Sequence, residues 1–301
     1  MKHVFIINPV AGFENSFLAL SNKLKAFKNK YDINVYVTSS IKDATEFTHD
    51  FCATHKGEDI RFYSCGGDGT LGEVVNGIAE MENTSVTCFP CGSGNDFVKS
   101  VGGKDRFLDL ESLFNAENKK IDLISINGEV YSLNVINAGF EAKVCKVANS
   151  LRGKSKKPYL RGIISALFKG MKNKIFVEVD GEILNEDGTL LLSTFANGGF
   201  VGGKYNCAPK FVLDDGLMEV CLVKPVSIFT FLKLIKKYER GEHLDSPKFR
   251  KLVKYKRAKC VRLYSDNEFD LCVDGEMLFG REFKLEVNKK ALNFAIPETT
   301  K

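Results

Sequence analysis

A glycine-rich turn is the part of the sequence whose residue types could do chemistry. Residues 66–70 read Gly-Gly-Asp-Gly-Thr, after an apolar run that ends at Cys65 and before a segment with helical spacing. A strand that leads through glycines into a helix aims backbone N–H groups at a phosphate, and a carboxylate there can hold Mg²⁺. Glycines are needed because we expect the chain to adopt positive φ here and to let the ligand approach without a Cβ in the way. The spacing predicts a nucleotide phosphate site; the alternative is a simple tight turn.

Two other loops have the same character and the same place relative to their predicted strands. The first is Asn8-Pro9-Val10-Ala11-Gly12, and the other is Gly92-Ser93-Gly94-Asn95-Asp96. Because ligands bind at the carboxyl ends of parallel strands, three such loops argue for one shared site. Asn95 and Asp96 are also good residues to cap the helix that follows them.

The predicted elements divide the chain into two parts. An alternation of strands (4–8, 33–38, 60–65, 85–89) and helices (16–28, 42–53, 71–81) indicates an α/β domain with a parallel sheet. Later runs rich in β-branched and aromatic residues predict an antiparallel, sandwich-like domain, with strands at 131–136, 175–179, 189–196, 217–223, 260–264, 269–273 and 283–287 and helices at 158–171 and 227–238. We expect domains at 1–120 and 121–301, with the last residues able to return to the first.

Composition excludes several classes of protein. The 301 residues are 44% hydrophobic and 27% charged, as in ordinary globular chains. The apolar run at the start is too short for a signal peptide, and no later run approaches the about 20 residues needed to span a bilayer. Nine cysteines, mostly within apolar runs, predict reduced thiols. We therefore expect a cytoplasmic protein.

The basic residues are clustered although the net charge is only +5. One stretch runs from Arg152 to Lys174 without an acidic residue and includes Lys154, Lys156 and Lys157; a second runs from Lys233 to Lys259. Such stretches attract membranes, nucleic acids or phosphorylated substrates, although either could be a solvated face. Apolar residues interleaved between 158 and 169 favour peripheral attachment to anionic lipid; the alternative is a core-packing helix with a basic solvent face.

Together with Asp214-Asp215-Gly216-Leu217 and Asp274-Gly275-Glu276, the three loops resemble the diacylglycerol kinase catalytic-domain family of lipid kinases. That family includes bacterial soluble lipid kinases and is related to the sphingosine and ceramide kinases. The resemblance covers essentially the whole chain in the right order. The Gly-Gly-Asp-Gly-Thr loop is shared with NAD kinases and phosphofructokinases, so the lipid branch is selected by Asn-Asp-Phe at 95–97 and by the late Asp-Gly-Glu.

The resemblance implies a NAD kinase/diacylglycerol kinase-like α/β domain for the nucleotide, a mainly antiparallel β-sandwich domain for the lipid, and ATP with Mg²⁺ in the cleft between them. Glu276 matches the proton acceptor for the lipid hydroxyl, with Asp274 beside it and Asp68 as a further catalytic carboxylate. Asp215 matches a Mg²⁺ ligand, with the carbonyls of Val212 and Leu217. The residues implied to line the nucleotide are Asn8, Pro9, Gly12, Thr38, Gly66, Gly67, Asp68, Gly69, Thr70, Gly72, Gly92, Ser93, Asn95 and Asp96.

The predicted function is ATP- and Mg²⁺-dependent phosphorylation of a lipid hydroxyl, such as that of diacylglycerol or of a sphingoid or ceramide-type lipid. The expected partners are this lipid and the anionic inner face of the membrane, contacted peripherally; a homo-oligomer is left open and no nucleic acid is expected. The alternatives are a soluble-metabolite kinase of the NAD kinase type and a catalytically silent nucleotide-binding regulator. The intact carboxylates Asp68 and Glu276 speak against the silent regulator.

Overall fold

The computed structural model describes residues 1–12, 16–151, 158–168 and 170–298. The chain forms two compact units. Unit 1 comprises Met1–Leu123 together with Lys289–Lys301, and unit 2 comprises Ile124–Asn288. Among the described residues, no helix is both long enough and apolar enough to cross a membrane.

Unit 1 is an α/β unit on a parallel sheet, which confirms the predicted fold class. Its strands are β1 (Lys2–Ile7), β2 (Asp32–Val37), β3 (Ile60–Gly66), β4 (Thr84–Pro90) and most of β5 (Glu117–Ile126); its helices are α1 (Ser16–Lys25), α2 (Asp43–Thr54), α3 (Asp68–Ile78), α4 (Asp96–Ser100) and α5 (Leu110–Phe114), with one 3-10 turn at Lys104–Phe107. The parallel strands lie in the order β4–β3–β1–β2. Strands β1, β3 and β4 are almost wholly buried, as expected when both faces of a parallel sheet are covered.

Unit 2 is mainly antiparallel, again as predicted. Its strands are β6 (Val130–Ser132), β7 (Val135–Gly139), β8 (Asn173–Lys174), β9 (Phe176–Val179), β10 (Glu182–Ile183), β11 (Thr189–Leu190), β12 (Leu192–Ala196), β13 (Phe200–Val201), β14 (Tyr205–Asn206), β15 (Met218–Val223), β16 (Val253–Ala258), β17 (Cys260–Val273) and β18 (Glu276–Ile296), whose last residues belong to unit 1. Its helices are α6 (Phe140–Ser150), α7 (Pro158–Phe168) and α8 (Ile228–Glu239). The main sheet has the order β16–β15–β12–β7–β17–β18.

A bulge in β17 lets one strand take part in two pairings. The register against β18 shifts between Tyr264 and Phe269. Before the bulge β17 pairs with β9, and after it with β7. Because a bulge bends its strand, both halves can face one core, which includes Phe195 and Leu271. The two strands predicted at 260–264 and 269–273 are therefore one bent strand.

Helices α6, α7 and α8 cover the other face of this sheet. Phe140 of α6, Ala166 of α7 and Phe231 of α8 share a buried cluster with Leu192 and Val223. Leu192 and Val223 oppose each other in register, on the face turned away from the Phe195 side because side chains alternate along a strand. Helix α6 was not predicted, although its buried residues recur at helical spacing.

Helix α3 begins three residues earlier than the helix predicted at 71–81. Its N-cap is Gly67, in an extended conformation with φ −104° and ψ −165°. The Leu71 N–H donates to the Gly67 carbonyl at 3.1 Å, which closes the first turn. An aspartate in that turn faces the positive end of the helix dipole, which favours the early start. Asp68, Gly69 and Thr70 are therefore helical residues.

Two glycines of α3 form a matched pair for testing how this helix is held. A Cβ on Gly77 would lie 1.9 Å from Thr48 Oγ1 in α2, whereas a Cβ on Gly72 would meet nothing within 4 Å. We expect Gly77→Ala to lower the free energy of unfolding by about 1–3 kcal/mol, because α2 must move. Gly72→Ala should raise it by about 0.5–1 kcal/mol through helix propensity. Urea denaturation measures both, and equal stabilities would contradict this packing.

Candidate active site

The three glycine-bearing loops meet at one edge of the unit 1 sheet, where β1, β3 and β4 end. Asn8 Nδ2 donates to Thr70 Oγ1 at 3.1 Å and so joins the first loop to the second. The N–H groups of Cys91 and Gly92 donate to the Gly66 carbonyl at 2.8 and 3.1 Å, and this joins the third loop to the second. The structure therefore brings together the loops that the sequence singled out.

Close backbone contact explains why glycines stand in these loops. A Cβ on Gly92 would lie 2.5 Å from the Cα of Gly67, and a Cβ on Gly66 would lie 2.3 Å from Thr70 Oγ1. Neither space admits a side chain. Of the glycines assigned to the nucleotide, only Gly12 has positive φ, at 94°. The prediction of positive φ in the Gly66–Thr70 loop is thus wrong. Glycine stands there because neighbouring atoms approach its backbone too closely for a side chain.

Asp68 connects the second loop to helix α4. Its Oδ1 accepts the N–H groups of Asp96 and Phe97 at 2.6 and 3.4 Å. These N–H groups belong to the first turn of α4, so Asp68 caps that helix from another element. Asn95 occupies the N-cap position but makes no side-chain capping bond; its Nδ2 donates to the Gly92 carbonyl at 2.6 Å. The predicted local cap by Asn95 or Asp96 is replaced by this distant one.

The first turn of α3 fits a phosphate group. Gly67, as N-cap, has no side chain with which to satisfy the first N–H groups of the helix. Such groups, at the positive end of the helix dipole, bind anions. The contact between Gly67 and Gly92 leaves bare backbone beside them, which a phosphate can approach closely.

Two carboxylates next to this turn fit a phosphate-bound Mg²⁺. A Cβ on Gly94 would lie 2.8 Å from Asp68 Oδ2 and 3.6 Å from Asp96 Oδ2, so both oxygens flank one bare backbone position. Lys99 Nζ contacts Asp96 Oδ1 at 2.7 Å. Mg²⁺ commonly takes one or two carboxylates and completes its shell with phosphate and water. Within the described ranges, no three His, Cys, Asp or Glu side chains are grouped to hold a metal by themselves.

The other residues assigned to the nucleotide differ in exposure. Pro9, Gly12 and Ser93 are exposed. Thr38 is buried beside the first loop, where its N–H donates to the Ile7 carbonyl at 2.9 Å and its Oγ1 lies 3.4 Å from the same oxygen. Direct contacts of these residues with a nucleotide stay predictions.

The capping role of Asp68 changes what its substitution should do. The sequence alone predicts a turn residue whose loss shifts the melting temperature little. We now expect Asp68→Ala to cost about 1–2 kcal/mol of stability, because the cap of α4 is lost. Asp68→Asn keeps an acceptor for the Asp96 N–H and should retain most of that stability while losing the charge. Thermal melts of both variants provide the measurement; wild-type melting of Asp68→Ala would refute the cap.

In unit 2, Asp274 forms the turn between β17 and β18 together with Gly275. Their φ values of 47° and 95° are those of a two-residue type I′ hairpin. The Asp274 carboxylate accepts Ser132 Oγ–H and the N–H groups of Leu133, Asn134 and Val135 at 2.8 to 3.2 Å. Burial raises the pKa of Asp274 to about 6, against the effect of these bonds. The strand predicted at 131–136 is interrupted because its N–H groups turn to this carboxylate.

Glu276 follows the turn and is exposed. It pairs with Val273 across the hairpin, and its side chain makes no hydrogen bond or ion pair with any described residue. On the helix side, the Gly275 carbonyl accepts Asn149 Nδ2–H at 2.7 Å and Cys145 Sγ–H at 3.4 Å. A rigid turn thus presents an unpaired carboxylate, and α6, which sequence reasoning missed, supplies part of its support.

Comparison with known proteins decides the family. Residues 2–126 match the diacylglycerol kinase catalytic domain, and residues 134–296 match the YegS C-terminal NAD kinase beta sandwich-like domain. The chain belongs to the diacylglycerol kinase catalytic-domain family. The predicted resemblance is confirmed, and the chain is accordingly a kinase that phosphorylates an alcohol group.

The similarity to individual proteins extends over nearly the whole chain. A diacylglycerol kinase of Bacillus subtilis (strain 168) is 27% identical over 92% of this chain and 90% of its own length. A diacylglycerol kinase of Staphylococcus aureus (strain MRSA252) is 29% identical over 90% of this chain and 84% of its own. A diacylglycerol kinase crystal structure from Bacillus anthracis str. Sterne shares the fold, with a TM-score of 0.72 and 21% identity over 98% of this chain and 96% of its own.

In this kinase, the predicted Mg²⁺ ligand Asp215 has an arginine partner. Its Oδ1 accepts the Leu217 N–H at 3.0 Å, and its Oδ2 forms an ion pair with Arg257. Arg257 also contacts Glu219 at 2.8 Å. The guanidinium supplies positive charge where the metal was expected. Val212, three residues before Asp215, is 41% exposed. Binding of Mg²⁺ by Asp215, Val212 and Leu217 stays a prediction.

The kinase contains another perturbed carboxyl, Glu141, that the sequence did not single out. It lies in the first turn of α6 and accepts Thr194 Oγ1–H at 3.2 Å; the hydroxyl of Tyr238 lies 3.0 Å from the same Oγ1. Burial raises the pKa of Glu141 to about 7, although its hydrogen bonds with Tyr238 and Thr194 act in the opposite direction. No local sequence pattern signals this cluster, because its members come from a helix, a strand and a second helix.

Glu141 should make stability depend on pH. The unfolded chain releases this proton near the ordinary pKa of 4.5, whereas the folded chain holds it up to about 7. The folded state binds more protons in that window, so the free energy of unfolding falls as pH rises through it. Relative to Glu141→Gln, the wild type should lose stability between about pH 5 and about pH 7 and then level off. Urea titrations across this range test this; a constant difference would contradict it.

Proposed function

We propose that this kinase transfers the γ-phosphoryl group of ATP, with Mg²⁺, to a hydroxyl group of a lipid of the diacylglycerol class. The observation that carries the proposal is the joining of three glycine loops around the first turn of α3, whose N-cap is Gly67, with Asp68 and Asp96 beside it. The relatives in Bacillus subtilis and Staphylococcus aureus are named diacylglycerol kinases, which supports this choice of acceptor.

Unit 1 has the groups needed to bind the donor. Backbone N–H groups at the start of α3 would hold the phosphates, while Asp68 and Asp96 would hold the cation, with Lys99 keeping Asp96 oriented. ATP supplies the phosphoryl group and Mg²⁺ neutralises its charge. Because phosphoryl transfer passes through a loose transition state, positioning and charge neutralisation are most of what the protein must provide.

Unit 2 has a group suited to the acceptor. Glu276 would take the proton of the lipid hydroxyl as that oxygen forms its bond to the γ-phosphorus. The bond from that phosphorus to the bridging oxygen breaks, and its electron pair leaves with ADP. The hydrogen bonds of Asp274 and the contact between Asn149 and Gly275 hold the turn that carries Glu276.

The test is incubation with labelled ATP and separate acceptors: diacylglycerol, sphingosine, ceramide and NAD. We expect the label in phosphatidic acid, with dependence on Mg²⁺. Label in NADP would favour a soluble-metabolite kinase and overturn the proposal. ATP binding with no labelled product would identify a silent regulator.

The same assay tests Glu276 through Glu276→Gln, with Glu268→Gln as the matched control because Glu268 is also an exposed glutamate of unit 2. Turnover of Glu276→Gln should fall by about 10²- to 10⁴-fold, the usual contribution of a positioned proton acceptor. The loss should appear in kcat and kcat/KM together, with ATP binding retained. Equal turnover of the two variants would exclude Glu276 as the proton acceptor.

We further propose that the enzyme meets its lipid at the anionic inner face of the membrane. Of the basic residues that first suggested this contact, Arg152, Lys154, Lys156, Lys157 and Lys169 lie outside the described residues. The described part of that stretch is α7 with Lys172 and Lys174, both exposed.

A further inference from the structure

The first two turns of helix α8 present large apolar side chains to solvent. Ile228, Phe229 and Leu232 are 46%, 75% and 50% exposed. We call these three residues the α8 patch. Phe231 and Leu234, on the other side of the helix, are buried in the cluster shared with the sheet. The helix therefore already has a core face, and the α8 patch is apolar surface beyond it, of the kind that marks contact with another apolar body.

The exposed face of α8 turns basic one turn later. Lys233 and Lys236 follow the α8 patch at helical spacing and are exposed. Neither makes an ion pair with any of the described residues. Lys237, on a different side, is paired with Glu242. The same exposed face thus combines apolar side chains with uncompensated positive charge.

More basic residues lie on the segment that contributes Phe249 to the buried cluster under α8. Lys248, Arg250 and Lys251 flank Phe249, which is buried in the cluster that α8 covers. All three are exposed and form no ion pair within the described ranges. The acidic residue of α8, Glu239, is paired with Lys204 at 2.8 Å. The segment around Phe249 therefore adds exposed positive charge to the cluster that α8 covers.

Helix α7 covers the same cluster and repeats the pattern. Leu160, Ile164 and Phe168 are 50%, 48% and 89% exposed and recur every four residues, so they form one stripe. Gly162 and Ala166 occupy the buried side. The solvent face of α7 is therefore largely apolar. This differs from a core-packing helix with a basic solvent face. Two helices on one side of the sheet thus expose apolar stripes.

We propose that the α8 patch docks on an anionic phospholipid bilayer, with the α7 stripe as a second contact. Apolar side chains bordered by lysines match an interface in which acyl chains lie beneath anionic phosphates. A symmetric contact between two copies would bring Lys233 and Lys236 of both copies to one interface, where these like charges repel. A nucleic acid would leave Phe229 and Leu232 without apolar partners. The inference rests on the proposed function, since a lipid acceptor resides in a bilayer, but docking can be measured without catalysis.

The test is sedimentation of the full chain with vesicles of phosphatidylcholine, with or without phosphatidylglycerol, in the absence of ATP. We expect binding mainly to the anionic vesicles. Phe229→Ser with Leu232→Ser should lower the partition coefficient about tenfold. Lys233→Glu with Lys236→Glu should lower it about thirtyfold or more, since each lysine at such a surface contributes about fivefold. The matched controls, Ile183→Ser and Lys259→Glu, alter exposed residues elsewhere in unit 2 and should bind as the wild type does.

The outcomes separate this inference from the proposed function. The inference would be overturned if the α8 variants bound vesicles as the wild type does, or if the controls lost binding equally. It would also be overturned if the wild type formed a dimer in analytical ultracentrifugation that the Phe229 and Leu232 substitutions dissociate. Kinase activity on short-chain diacylglycerol in detergent micelles is measured in parallel and should be unchanged in the α8 variants. If the wild type lacks that activity while the α8 variants still lose vesicle binding, the proposed function fails and the docking surface stands. Thermal melts of all variants should coincide because every substituted residue is exposed.

Discussion

Aspartate carboxylates that accept backbone N–H groups from distant parts of the chain hold the glycine loops of unit 1 and the Glu276 turn of unit 2 in shape. Asp68 does this for the start of α4, and Asp274 does it for the link between β6 and β7. A hydrogen bond to a charged group contributes about 1.5–3 kcal/mol, and several of them on one carboxylate fix its surroundings as well as stabilise them. Each aspartate is therefore constrained by the fold independently of any part in catalysis.

The features that could be predicted from the sequence are those set by neighbouring residues. Alternating apolar runs and glycine loops gave the two fold classes, and most strand and helix ends in unit 1 lie within a few residues of their predicted positions. The Asp274-Gly275 hairpin was equally accessible, because its turn type depends on two adjacent residues. The meeting of the three loops followed from a general property of parallel sheets.

The features that could not be predicted depend on residues far apart in sequence. The cap of α4 comes from Asp68, and the arginine beside Asp215 lies on β16, a strand whose Lys and Arg residues had suggested only a basic surface. The break at Leu133 depends on a carboxylate that lies 141 positions away. Helix α6 differs, because its buried residues recur at helical spacing, but the strong β runs on both sides of it favour strands.

The last strand gives the molecule a particular order of assembly. The end of β18 belongs to unit 1, where Phe294 pairs with Val86 of β4 and is fully buried against Phe97. Asn293 Nδ2 also donates to the Thr84 carbonyl, across 209 positions of chain. During synthesis the edge of β4 therefore stays unpaired with β18 until the ribosome has released unit 2, which precedes that segment in the chain. An open strand edge invites pairing with other chains, so the late arrival of β18 leaves unit 1 with such an exposed edge while unit 2 is being made.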